Sequence, residues 1–127
     1  MIFPWRCSLE ISETNMKLPG ADKAVVSREK IADYLLNPAH PDNGGKADFF
    51  TRLGFQRHEW ETLATALKVL AGSGEVTHRT ESLHGQKYVI VGRIESPGGQ
   101  TTLVQSIWIV DKGLAAARLV TAYPRKL

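Results

Sequence analysis

The sequence predicts an α+β domain, with N-terminal helices packed on one face of a four-stranded antiparallel meander. Three observations carry this. Apolar residues recur at three-and-four spacing through the first half. The period changes to alternation after Gly72-Ser73-Gly74, and the alternating runs are joined by short glycine-containing connections. Helices followed by hairpin-linked strands cover one sheet face and leave the other free for function.

The elements follow in order. Ser27 caps a helix through R-E-K-I-A-D-Y-L-L, where Ile31, Tyr34 and Leu35 share a face and Asn37-Pro38 is the stop. The stretch N-P-A-H-P-D-N-G-G is a loop by its turn-forming residues. K-A-D-F-F-T-R-L-G is a short helix with Phe49, Phe50 and Leu53 inward and Gly54 as its end. In H-E-W-E-T-L-A-T-A-L-K-V-L-A-G, the residues Trp60, Leu63, Ala64, Leu67, Leu70 and Ala71 mark the clearest helix. The strands are E-V-T-H-R-T-E, K-Y-V-I-V-G-R-I-E, Q-T-T-L-V-Q-S-I-W-I-V-D and A-R-L-V-T-A-Y, connected through L-H-G-Q, S-P-G-G and D-K-G-L.

A chain of 127 residues, 43% hydrophobic and 23% charged, is long enough for one domain with a real core, expected over residues 16–127. No apolar run approaches the ~18 residues needed to span a bilayer, so no membrane association is expected. The single cysteine, Cys7, requires no oxidising compartment, which favours a cytoplasmic protein. Residues 1–15 lack the basic and apolar regions of a secretory signal and read as a tail or a start-site extension before Met16.

The net charge of +3 is unevenly placed. Met16 to His78 carries eight Lys/Arg against eight Asp/Glu, whereas Arg79 to Leu127 carries seven against three. The basic second half suits an anionic partner, RNA among them, and equally suits solvated strand ends.

Several chemistries have no support. G-x-G-x-x-G, Walker-type and G-x-S-x-G sequences are absent, so no nucleotide cofactor or esterase elbow is expected. His40, His58, His78 and His84 are not spaced as zinc ligands, and one cysteine cannot build a zinc knuckle. No cofactor and no metal are expected.

What remains is a set of basic, hydroxyl and imidazole groups on or beside the strands. Alternation puts Lys87, Val89, Val91 and Arg93 on one face, with Tyr88 and Ile90 on the other. In R-L-V-T-A-Y, Leu119, Thr121 and Tyr123 point away from Arg118, Val120 and Ala122 unless a bulge resets the register. Cations and hydroxyls suit a phosphodiester: RNA is cut without metal when its 2′-hydroxyl attacks phosphorus, given proton transfer and cations for the developing charge. Lys46, beside the glycine-rich loop, and His84, in the L-H-G-Q turn, are candidates for proton transfer. Each has a structural reading too. Thr121 and Tyr123 are strand formers, Lys87 and Arg93 suit a solvated face, and His84 suits a turn. Trp108 reads as core, or as a base-stacking surface if exposed.

From Lys17 to Pro124 the chain resembles a bacterial family of small domains of unassigned function. The resemblance rests on K-L-P-G-A-D-K-A-V-V, D-Y-L-L-N-P-A-H-P, G-K-A-D-F-F-T-R-L-G-F, S-I-W-I-V-D-K-G and R-L-V-T-A-Y-P. Its helices-then-sheet order and closing T-A-Y-P are more distantly similar to the barnase/EndoU/colicin/RelE-like ribonuclease toxin superfamily. That second resemblance implies a metal-independent endoribonuclease with Lys46, Lys87, Arg118, Thr121 and Tyr123 as site residues, and His84 or Lys46 moving the proton. It further implies a cognate antitoxin or immunity protein. The chain lacks a recognisable catalytic histidine pair. The alternative is a non-catalytic interaction module, a toxin–antitoxin partner or accessory protein, that uses its sheet face.

Overall fold

Ser27 opens the first helix as its side chain predicts: in extended backbone, its Oγ accepts the Lys30 N–H at 3.1 Å. A computed structural model describes residues 17–125, so the expected tail over residues 1–15 and the start at Met16 lie outside the described residues. Helix α1 is an α turn over Arg28–Lys30 that widens into a π-helical stretch over Ile31–Leu35, where Leu36 N–H donates to the Ile31 carbonyl at 2.8 Å. Ile31, Ala32 and Leu35 are buried. The wider turn rotates Tyr34 away from that set, and Tyr34 ends half-buried at the rim of the core, where regular helical spacing had placed it inward.

Helix α2, Lys46–Arg52, buries Ala47 and Phe50, whereas Phe49 and Leu53 are only partly covered. Gly45 precedes it at φ 88° and Gly54 follows at φ 105°, backbone that favours glycine. A 3₁₀ turn, Arg57–Glu59, leads into helix α3, Trp60–Ser73, which buries Leu63, Ala64, Leu67, Leu70 and Ala71 as its periodicity requires. Helix α3 lies against the sheet so closely that a Cβ on Gly92 would stand 2.6 Å from Leu70 Cδ1.

Strands β1 (Glu75–Ser82), β2 (Gly85–Glu95), β3 (Thr101–Asp111) and β4 (Ala117–Pro124) form one antiparallel sheet in sequence order. The fold is the expected single-domain α+β meander with helices N-terminal to the sheet. Its covered face carries Tyr88, Ile90, Ile94, Val104, Trp108, Leu119 and Ala122, all buried. Trp108 is fully buried, and its indole N–H donates to Ser106 Oγ at 2.8 Å, so it serves as core.

The strand pairing places the remaining side chains in rows across the opposite, open face: Lys87–Ile109–Arg118, Val89–Ile107–Thr121 and Val91–Gln105–Tyr123, with Arg93 opposite Leu103. The third position of each row depends on a β-bulge. Ile107 pairs with Thr121 but Trp108 pairs with Leu119, so Val120 is the extra residue. Without it, simple alternation sends Arg118 and Thr121 to opposite faces. With it, Arg118, Thr121 and Tyr123 share the open face while Leu119 and Ala122 stay in the core.

One end of the β4 edge is closed by the chain before α1. Val25 N–H donates to the Ala117 carbonyl at 2.7 Å, and Leu119 N–H donates to the Val25 carbonyl at 3.0 Å. This two-bond bridge blunts the exposed edge and lays α1 alongside β4. Beyond Leu119 the edge bulges outward, and there the candidate site lies.

Candidate functional site

Asn43 builds this site. It is buried, and its Nδ2 donates to the carbonyls of Tyr34 (2.6 Å) and Leu35 (3.2 Å) at the end of α1, while its Oδ1 accepts the Ala47 N–H (2.9 Å) at the start of α2. One side chain thus bonds the end of one helix and the start of the next, adding to the Asn37 N–H that also reaches the Tyr34 carbonyl at 3.2 Å. It folds the loop back on itself and carries His40 and Lys46 to Tyr34.

Lys46 stands between two tyrosines. Its Nζ lies 5.6 Å from the Tyr34 ring centroid and 5.9 Å from that of Tyr123, and it donates to the carbonyls of Asp42 (3.4 Å) and Asn43 (3.2 Å). Lys30 Nζ lies 5.2 Å from the Tyr34 ring, which therefore has two ammonium groups about it. Tyr34 Oη and Thr121 Oγ1 are hydrogen-bonded at 3.0 Å across the helix–sheet boundary. The His40 ring meets Tyr34 edge-on at 5.0 Å, and its Nδ1 accepts the Asp42 N–H at 3.0 Å. In the neutral ring that bond puts the proton on Nε2.

Tyr34, His40, Val120 and Thr121 line a cleft of about 580 Å³ together with Ser27, Lys30 and the acids Glu29, Asp33 and Asp42. Asp33 is held by Arg57 at 3.1 Å. On the other side of Lys46, Gln105 Nε2 donates to Tyr123 Oη at 2.7 Å and Arg125 donates to Gln105 Oε1 at 2.8 Å.

The tertiary structure therefore gathers three of the six sequence-nominated residues, Lys46, Thr121 and Tyr123; Arg118 stands one row from Thr121 on the same face but is turned to Asp111, and Lys87 and His84 lie farther off. Lys87 and Arg118 share a row on the open face, two strand spacings or roughly 10 Å apart. Arg118 is engaged in a two-pronged ion pair, Nε and Nη2 donating to Asp111 at 2.7 and 3.2 Å. These hydrogen bonds from Arg118 hold the Asp111 carboxyl below its ordinary range, and those from Asp111 to the guanidinium raise Arg118. His84 is exposed in the two-residue turn between β1 and β2. Its strand end is level with Asp111, four residues along β3 from the Ile107 that faces Thr121, a separation of roughly 13 Å along the strands.

A family model matches residues 17–126, and its description is a domain of unknown function, DUF6883. The chain belongs to that DUF6883 family. No curated protein matches it. Among solved structures, a chain of a contact-dependent growth inhibition toxin–immunity protein complex from Klebsiella pneumoniae 342 is similar, with a TM-score of 0.65 and 18% identity over 80% of this chain and 99% of that one. At that identity the likeness is one of fold.

This DUF6883 domain shows no helix among its described residues long and apolar enough to cross a membrane, and no cluster of three His, Cys, Asp or Glu side chains there that could hold a metal ion. Sequence reasoning had not nominated Tyr34, Lys30, Gln105 or Asn43. Tyr34 sat in an apolar helical pattern and Gln105 in a strand pattern, and nothing in either pattern marks a polar end for a task. His40 enters the sequence pattern only as one of four histidines not spaced as zinc ligands.

Proposed function

We propose that this domain is a toxin-like endoribonuclease that acts without a metal, cleaving RNA by attack of the 2′-hydroxyl on the adjacent phosphorus. The observation that carries this reading is the convergence of Lys46, Tyr34, Thr121 and Tyr123, brought from three separate segments to one solvent-open edge. In the reaction the O2′–P bond forms, the P–O5′ bond breaks, the 2′-proton passes to solvent water and O5′ receives a proton. Lys46 can stabilise the charge that builds on the phosphate oxygens and give a proton to O5′, and Thr121 and Tyr123 orient the phosphate. His84 is too far from this edge to share the proton-transfer role, which falls to Lys46. Arg118 keeps its fork on Asp111, and Lys87 adds positive charge on the neighbouring open face. The similarity of fold to a chain of a toxin–immunity complex supports a toxin-type or immunity-type role with a cognate partner, and the basic sheet half suits an acidic one. Action in the cytoplasm, where RNA is found, belongs to the same reading.

A second reading has its own observation. Val89, Val91, Leu103, Ile107 and Ile109 lie half-buried on the open sheet face, as at a protein-binding surface. On that reading the domain is a non-catalytic interaction module. The deciding experiment incubates purified protein with total tRNA and single-stranded RNA, with and without EDTA. EDTA-resistant cleavage leaving 2′,3′-cyclic phosphate ends supports the ribonuclease; intact RNA with well-folded protein supports the module.

A further inference from the structure

The hydrogen bonds around Tyr123 have a fixed direction. Arg125 has only donors to offer, so its bond at 2.8 Å must be accepted by the amide oxygen of Gln105. The Gln105 amide nitrogen then faces Tyr123, and at 2.7 Å it donates to the phenol oxygen. Tyr123 Oη is thereby an acceptor toward Gln105, which leaves its own O–H proton to be given elsewhere. Among the described residues no acceptor is paired with that proton, and Tyr123 is half-exposed.

The same polarity holds next door. Lys46 spends two of its three N–H groups on the Asp42 and Asn43 carbonyls and lies 5.9 Å from the Tyr123 ring, so one N–H remains. The cations near Tyr123 are Lys46 and Arg125, with Arg93 one row away opposite Leu103, whose carbonyl accepts the Arg125 N–H. In the rows themselves, the acid level with Tyr123 is Glu75, three strands across beyond Val91 and Gln105. The cleft on the other side of Lys46 carries Glu29, Asp42 and the Arg57-paired Asp33 against Lys30, the one cation among its described lining residues. An oxyanion is therefore favoured on the Tyr123 side and opposed on the cleft side.

We propose that Tyr123 is a pre-set hydrogen-bond donor to a non-bridging oxygen of an RNA phosphodiester, and that Gln105, itself held by Arg125, is the positioning residue that turns the phenol O–H outward. This rests on the ribonuclease reading and deepens it, by placing the phosphate on the open-face side of Lys46. The chain from Arg125 through Gln105 to Tyr123 also polarises the phenol as a donor, since a hydroxyl that accepts a bond gives a stronger one.

The test separates binding from cleavage by using a 2′-O-methyl RNA oligonucleotide, which keeps the phosphates and has no attacking hydroxyl. Tyr123→Phe removes only the O–H and is expected to weaken binding roughly tenfold, the loss usual for a hydrogen bond to a charged group. Gln105→Met removes the orienting amide. It is expected to weaken binding several-fold in the parent and to change nothing further in the Tyr123→Phe background, because its effect passes through the phenol. Equal affinity of Tyr123→Phe and parent overturns the proposal, as does a Gln105→Met loss of equal size in both backgrounds or a parent that does not bind the oligonucleotide at all. Cleavage of unmodified RNA is scored separately. Cleavage without a Tyr123 effect sinks this inference and leaves the ribonuclease standing; the coupled binding losses without cleavage sink the ribonuclease and leave the phosphate donor.

Discussion

Tyr34 Oη and Thr121 Oγ1, 87 positions apart in the chain, meet at 3.0 Å and tie helix α1 to the bulged edge of β4. This part-buried bond joins the core to the candidate site. Tyr34→Phe and Thr121→Val each delete it while keeping the ring or the β-branched shape, and each is expected to cost about 1 kcal/mol. Denaturant titration of both single variants and the double should show the two losses to be shared. Fully additive losses would mean the hydroxyls do not act as a pair.

Asn43 supports more than its own loop. Its three hydrogen bonds join the end of α1 to the start of α2, and removing the amide takes this partner from the Leu35 carbonyl and the Ala47 N–H, while the Tyr34 carbonyl keeps the Asn37 N–H. Asn43→Ala is expected to destabilise the fold by roughly 2–4 kcal/mol and to loosen Lys46. Thermal unfolding measures the first effect, and hydrogen exchange over residues 37–46 the second.

Val120 presents an unusual case, a residue inside a strand that can be removed. Deleting it joins Leu119 to Thr121 and restores plain alternation without moving any neighbour to the other face. The deletion variant is expected to fold with a midpoint within a few degrees of the parent, whereas deleting Leu119 should not give a folded protein.

Asp111 and Arg118 predict a pH dependence. Folding lowers the Asp111 pKa, so its carboxylate favours the fold above the unfolded value of about 3.9, and that contribution fades as pH falls through the lower folded value. Asp111→Asn should therefore be less stable than the parent at neutral pH and approach it in acid. Urea midpoints at a series of pH values check this; a gap that persists or grows in acid contradicts the assignment.

Lys46 and His84 give the ribonuclease reading its sharpest contrast. Both are basic residues beside glycine-rich turns, and only Lys46 reaches the Tyr34–Thr121 edge. Lys46→Ala should abolish cleavage, by a hundredfold or more, while His84→Ala leaves it unchanged at equal protein level. Equal losses in both would move the site along the open face toward the Lys87–Arg118 row and the β1–β2 turn.

Much of the architecture was legible because periodicity reports which side of an element is buried. The face shared by Lys87, Val89, Val91 and Arg93, the burial of Trp108 and the inward stripe of α3 are as alternation and helical spacing require. Tyr34 departed from that pattern, because a π-helical turn is set by packing and by the caps at its end and leaves no periodic trace.

By itself, then, the sequence determined the order and kind of the elements, their core faces and the basic balance of the sheet half, all of which are local or compositional. Only the tertiary structure decided that Lys46, Thr121 and Tyr123 stand together, that Arg118 beside them is tied to Asp111, and that His84 and Lys87 stand apart. Those distances depend on a one-residue bulge at Val120 and on the three hydrogen bonds of Asn43. The physical reason is that such contacts join segments far apart in the chain, and their geometry is set by strand register and loop closure, about which the spacing of nearby residues carries no information.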